Sequence, residues 1–201
     1  GQPSRAPAER PAGSGHPRVV SRFVDRGAIV AAYVGIGMAV TIAISFLLVI
    51  PIEIVFLLLG LPSGLLIGYY ANARAGREGG TLGRILLNGV YAAAITAVTM
   101  ALLYLGTKEL FFAADNGYRD ASVGAPLTCE PGAACVYARY LADPDLAVRL
   151  GDAGVNDVAT FTDFYWASQG SNALNVLVLT IVGGAGGALG FLATNRKRPA
   201  A

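Results

Sequence analysis

Long uncharged apolar stretches alternate with short charged ones along this chain. Four of them, Ala28–Ile52, Ile54–Ala73, Ile85–Thr107 and Phe164–Asn195, each run at least 20 residues without Asp, Glu, Lys or Arg. A helix rises about 1.5 Å per residue, so about 20 residues cross a hydrocarbon core of about 30 Å. The pattern predicts an all-α integral membrane protein, a four-helix transmembrane bundle with a large extracytoplasmic loop between the third and fourth spans. It divides the chain into a flexible arm (1–18), an amphipathic entry turn with spans one to three (19–107), an outer segment (108–163), the fourth span (164–195) and a basic tail (196–201).

The breaks between these stretches carry turn and cap signals. In the entry turn Val19, Val20, Phe23 and Val24 share one helical face, while Arg18, Arg22 and Arg26 recur every fourth residue on another, a layout suited to a membrane interface. Only Pro51, Ile52 and Glu53 separate the first two spans, and proline stops a helix by lacking an N–H donor. Glu53 is the single charge at that turn and is placed as an outer interface marker. Pro62 predicts a kink in the second span. Tyr69 and Tyr70 anchor that span's inner end, and Tyr165 with Trp166 the outer end of the fourth, since amphipathic rings favour headgroup depth. Asn72–Arg84 reads as a loop that Thr81 closes by capping the third span. Asp143-Pro144-Asp145 opens a short helix to Leu150, with Asp at the N-cap and Pro at the first helical position.

Charge orients the spans. The arm, the loop between spans two and three and the tail hold Arg5, Arg10, Arg18, Arg22, Arg26, Arg74, Arg77, Arg84, Arg196, Lys197 and Arg198 against Glu9, Asp25 and Glu78. The opposite face holds four basic and ten acidic residues. Lys- and Arg-rich short loops stay cytoplasmic, so both termini are expected inside a cell (plasma) membrane. The sequence Ile50-Pro51-Ile52-Glu53 offers no small-x-small cleavage site, so the first span is read as retained. The chain is 54% hydrophobic and 14% charged, well below the roughly 25% charged of soluble domains. Its 13 Arg against 2 Lys, with abundant Ala and Gly, point to a bacterial source.

Within the spans, small residues recur every fourth position. The glycine-rich stripes are Gly60, Gly64 and Gly68 in the second span, and Gly183 with Gly187 and Gly186 with Gly190 in the fourth. Because lipid tails are as apolar as Leu, helices in a bilayer associate by close backbone approach, which such stripes permit. Asn88, Asn172 and Asn175 are expected to form interhelical hydrogen bonds, since a buried amide needs partners that its own helix supplies only in part.

Chemistry is sparse. Cys129 and Cys135 flank the turn signal Pro131-Gly132 and fall on the oxidising side, so a disulfide is expected. The sole histidine, His16, lies across the membrane from them, and no span has a haem or chlorophyll ligand; neither metal nor cofactor is expected. No Gly-Lys-Thr/Ser loop, His-Glu-x-x-His or nucleophile–His spacing is present. A tiny first outer loop and a cysteine-bearing second one resemble the tetraspan plan in architecture, without the cysteine-pair-plus-glycine motif of tetraspanins. The expected partners are the lipid bilayer and other membrane subunits or a second copy, not nucleic acid. The leading expectation is a non-catalytic accessory or structural subunit of a larger membrane complex. A small homo-oligomeric channel or transporter, with the glycine-rich fourth span at its pore, ranks second. An enzyme using Asp143, Asp145, Asp152 or Asp157 ranks third.

Overall fold

Six helices and no strand make up the described residues, which are 24–46, 52–76, 80–114 and 129–195 of the computed structural model. They are α1 (Arg26–Phe46), α2 (Ile52–Ala75), α3 (Leu82–Ala114), α4 (Ala133–Ala142), α5 (Pro144–Asp152) and α6 (Val158–Thr194). The arm, most of the entry turn, Pro51 and the basic tail lie outside the described residues.

α1, α2, α3 and α6 are long and apolar enough to cross a membrane. Their packing fits that solvent. Leu58, Leu66, Leu102, Leu174 and Val182 lie on the exposed outside, whereas Ser63, Asn72, Asn88, Thr96, Gln169 and Thr180 are buried. Exposed large apolar side chains around a partly polar interior suit hydrocarbon surroundings and would be costly in water. The chain has the features of a multi-pass membrane protein. α2 and α3 form the middle of the bundle, with α1 packed on both from one side and α6 on both from the other.

The helices overrun the uncharged stretches that announce them. α3 has 33 residues and α6 has 37, so at about 1.5 Å per residue they reach about 50 and 55 Å, well past a hydrocarbon core of about 30 Å. Lys108 and Asp163 therefore mark a change of solvent along helices that continue. The expected large loop between the third and fourth spans is corrected accordingly. α3 takes up its first seven residues, α6 its last six, and the described part between them is folded into α4 and α5.

Local signals explain these ends. Asp143 caps α5, its Oδ1 accepting from the N–H of Asp145 (2.9 Å) and Leu146 (3.1 Å), with Pro144 at the first helical position. Gly154, at φ 71°, turns the chain out of α5. Asp157 opens α6 with a capping box: its carboxylate accepts from the Thr160 N–H at 2.8 Å, and the Thr160 hydroxyl accepts from the Asp157 N–H at 3.3 Å. The loop expected over Asn72–Arg84 is shorter than the sequence suggests, because α2 continues to Ala75 and α3 begins at Leu82. Thr81 directly precedes α3, and its carbonyl accepts from the N–H of Arg84 and Ile85, both at 3.1 Å. α2 runs unbroken through Pro62.

Candidate functional site

Three features of the bundle carry its polar and close-packing chemistry, from the end opposite the α4–α5 cap towards that cap: an amide–carboxylate cluster, a glycine seam and a tyrosine–amide cluster beneath the cap.

At the end of the bundle opposite the cap, Asn88 of α3 is fully buried. Its Nδ2 donates to Asp25 Oδ2 at 2.6 Å and to Asn72 Oδ1 at 3.4 Å, while its Oδ1 accepts from the Asp25 N–H at 3.1 Å. Asp25 Oδ1 also receives Arg84 Nη2 at 3.2 Å. Asn72, equally buried, donates to the carbonyls of Gly68 (3.2 Å) and Ile85 (2.9 Å). One cluster thus ties the foot of α1 to α2 and α3. Sequence reasoning singled out Asn88 alone. Asp25 falls in the charged arm and Asn72 at the start of the expected loop, although two asparagines and an acid at the feet of neighbouring spans are an available signal.

The glycine seam runs between α2 and α6. A Cβ on Gly64 would strike the Thr180 carbonyl oxygen and stand 2.9 Å from the Gly184 nitrogen. On Gly68 it would strike the Gly184 carbonyl oxygen, on Gly183 the Leu61 carbonyl oxygen, and on Gly187 the Leu65 carbonyl oxygen. These neighbours are backbone atoms of helices and cannot swing aside. Gly60 is looser, with Thr180 Oγ1 at 3.2 Å from such a Cβ. Gly184, which the four-residue stripes left out, also meets the Ala93 Cβ and the Gly89 backbone of α3, making it the point where three helices touch. The Gly186–Gly190 stripe is corrected: a Cβ on Gly186 meets only the end of Leu65, at 3.0 Å, and one on Gly190 meets nothing within 4 Å.

Towards the cap, the Tyr104 hydroxyl donates to Gln169 Oε1 and accepts from Asn172 Nδ2 at 3.5 Å. Above it, Lys108 of α3 pairs with Glu53 of α2 at 3.0 Å and lies 5.8 Å from the Tyr104 ring centroid. Glu53 is therefore an ion-paired residue in the first turn of α2. Asn175 is corrected: it is exposed on the outside of α6 and makes no interhelical hydrogen bond among the described residues. At 3.6 residues per turn, position 175 faces away from the inward row of Gln169, Ala173, Val176 and Thr180.

The aromatic residues divide by depth. Tyr69 and Tyr70 are exposed on α2, Tyr69 contacting Thr194 through its hydroxyl (3.4 Å) and Phe191 through its ring (5.6 Å between centroids). Tyr165 is not an exposed interface anchor. It is buried with Phe161 and Phe112 under α4 and α5, and Trp166 packs edge-on against it. Tyr137 and Tyr140 of α4 contact Phe161, and Tyr140 also contacts Tyr165. The short helices thus occupy the patch that the aromatic cluster would otherwise expose. Burial pushes the Tyr140 hydroxyl above its ordinary range, the Glu53 carboxylate adding to the rise and Arg149 opposing it. Hydrogen bonds from the Thr160 backbone and side chain hold the Asp157 carboxyl below its ordinary range.

Cys129 and Cys135 form a disulfide with Cα atoms 5.4 Å apart, closing the turn into α4. Arg139, one turn along, directs Nη2 to Cys135 Sγ at 3.5 Å. Among the described residues no group of three His, Cys, Asp or Glu side chains is placed to hold a metal ion. Compared with protein-family models, curated proteins and solved structures, the chain matches none.

Proposed function

We propose that this chain is a non-catalytic four-span subunit, structural or accessory, of a larger membrane protein complex. The observation that carries this reading is the state of the bundle interior. Its backbone-to-backbone seam of Gly64, Gly68, Gly183, Gly184 and Gly187 leaves no room between α2 and α6, and the polar groups within each cluster bond to one another. Groups already engaged in this way make a rigid scaffold. The same seam weighs against the channel reading, because the glycine-rich face of α6 is spent on α2 and α3 and is not turned towards a pore.

In this reading both termini face the cytoplasm of a bacterial cell, and the disulfide-bearing α4–α5 cap stands outside the plasma membrane. The distribution of Arg and Lys and the chemistry of the cysteine pair support it. Purification in a mild detergent followed by mass spectrometry tests the assignment. Stoichiometric co-purifying membrane subunits are expected. A chain that emerges alone and drives solute flux across liposomes would replace the proposal with the channel alternative.

A further inference from the structure

An apolar groove opens on the outside of the α1–α2 pair, lined by Val34, Pro62, Leu65, Leu66, Tyr69 and Tyr70. Its α2 wall follows the row Pro62, Leu66 and Tyr70, and the next member of that row is Arg74. Its α1 wall is Val34, and the same four-residue row leads back through Val30 to Arg26. Both arginines are exposed. Their helix ends also touch: a Cβ on Gly27 would stand 2.7 Å from the Arg74 carbonyl carbon and would strike the Ala75 nitrogen. The groove lining itself is apolar, and beyond it each wall helix leads to a cation, Arg74 one turn past Tyr70 and Arg26 about two turns before Val34, at helix ends that touch. Neither cation has an ion pair within the described residues, whereas neighbouring Arg84 is committed to Asp25.

The depth is right for a phospholipid. Glu53 and Arg74 are 21 positions apart on one helix, about 31 Å, so when Glu53 is at one headgroup layer Arg74 is at the other. Tyr70, one turn inside Arg74, has an amphipathic ring suited to that boundary. We infer that the α1–α2 groove binds an anionic phospholipid of the bilayer, an acyl chain lying along Leu66 and Val34 and the phosphate held between Arg26 and Arg74. Guanidinium groups match phosphate oxygens in a fork geometry, so arginine suits this mouth better than lysine. The inference needs the helices to span a bilayer, but it does not depend on the subunit assignment.

Two measurements test it on the full chain. Native mass spectrometry of protein in mild detergent, offered phosphatidylglycerol and phosphatidylcholine, is expected to show preferential retention of phosphatidylglycerol. Each of Arg26→Gln and Arg74→Gln should cut that preference about fivefold, with phosphatidylcholine retention unchanged. An undiminished preference in the double variant overturns the site. Displacement of the lipid by inorganic phosphate at equal concentration overturns it also, by making the mouth a phosphate site. Independently of any variant, the unaltered chain in phosphatidylcholine vesicles doped with photoactivatable phosphatidylglycerol should carry adducts on Val34, Leu66 or Tyr70. Adducts confined to other faces of the bundle would refute the inference even if the variants fail to fold.

Discussion

Gly64 of α2 and Gly184 of α6 approach so closely that a Cβ on the first would stand 2.9 Å from the backbone nitrogen of the second. No side-chain rearrangement relieves such a contact, because the obstructing atom belongs to a helix backbone. The helices must part, and parting also opens the contacts that Gly68, Gly183 and Gly187 make. Gly64→Ala and Gly187→Ala are therefore expected to destabilise the bundle by about 1–3 kcal/mol, the cost of overpacking a tight core. Gly190→Ala, which meets nothing within 4 Å, should be neutral or stabilising by up to about 1 kcal/mol through helix propensity. Reversible unfolding in mixed micelles reads the difference. Equal effects at Gly64 and Gly190 would dispose of the seam as the element that locks α2 to α6.

The Asp25–Asn88 pair tests whether the inner cluster fastens α1. Asn88→Ala removes two donor contacts and one acceptor contact and leaves the Asp25 carboxylate with Arg84. Removing one partner of a buried polar group costs about 1–3 kcal/mol, more than the mean for membrane hydrogen bonds of about 0.6 kcal/mol. A double-mutant cycle of Asp25→Ala with Asn88→Ala should return a coupling of about 1 kcal/mol or more. Strict additivity would mean that the two residues act separately.

The spans were legible in the sequence because charge is scarce in hydrocarbon, and a gap of 20 uncharged residues is a direct signature of that solvent. Helix ends were less legible for the same reason. Lys108 and Asp163 report where water begins, whereas α3 and α6 continue because Phe112 packs on Tyr165 and Trp166 beyond the boundary. Rotation about a helix axis was legible only in part. Gly183–Gly187 and Gly186–Gly190 satisfy the same four-residue spacing, and only the partner helix decides which stripe is inside. Gly184, Gln169 and Asn72 were missed because each draws its meaning from a neighbour distant in sequence. The approach of the helix ends that carry Arg26 and Arg74 likewise rests on the Gly27–Ala75 contact, which no spacing rule predicts.

The Asp157 cap gives a pH dependence with a definite sign. Its carboxyl is held below the ordinary range by hydrogen bonds that only the helical form of α6 supplies. A group with a lowered folded-state pKa adds stability above its unfolded value, near 3.9, and loses it as pH falls through the folded value. Fraying of the first turn of α6 should therefore be constant from neutral pH down to the carboxylate range and increase below it. Hydrogen exchange at the Thr160 amide, referenced to intrinsic rates, follows this directly. In Asp157→Ala the turn should fray at every pH with no such rise, and a persisting rise would assign the effect to another acid.

The disulfide should matter to the cap and not to the bundle. It closes a ring with a sequence separation of 6, and by loop entropy so short a ring contributes about 2 kcal/mol. Cys135 is nearly fully buried beside Val136, which joins the cluster with Leu150 and Phe161, so the constraint acts where α4 meets α5 and α6. Reduction, or Cys129→Ser with Cys135→Ser, is expected to raise amide exchange in α4 and α5 and leave the Gly64–Gly187 seam protected. A membrane-impermeant maleimide should then label the reduced thiols on intact cells, which places the cap outside. Labelling that required broken cells would invert the proposed orientation, and exchange rising equally in α2 would show that the cap and the bundle unfold as one unit.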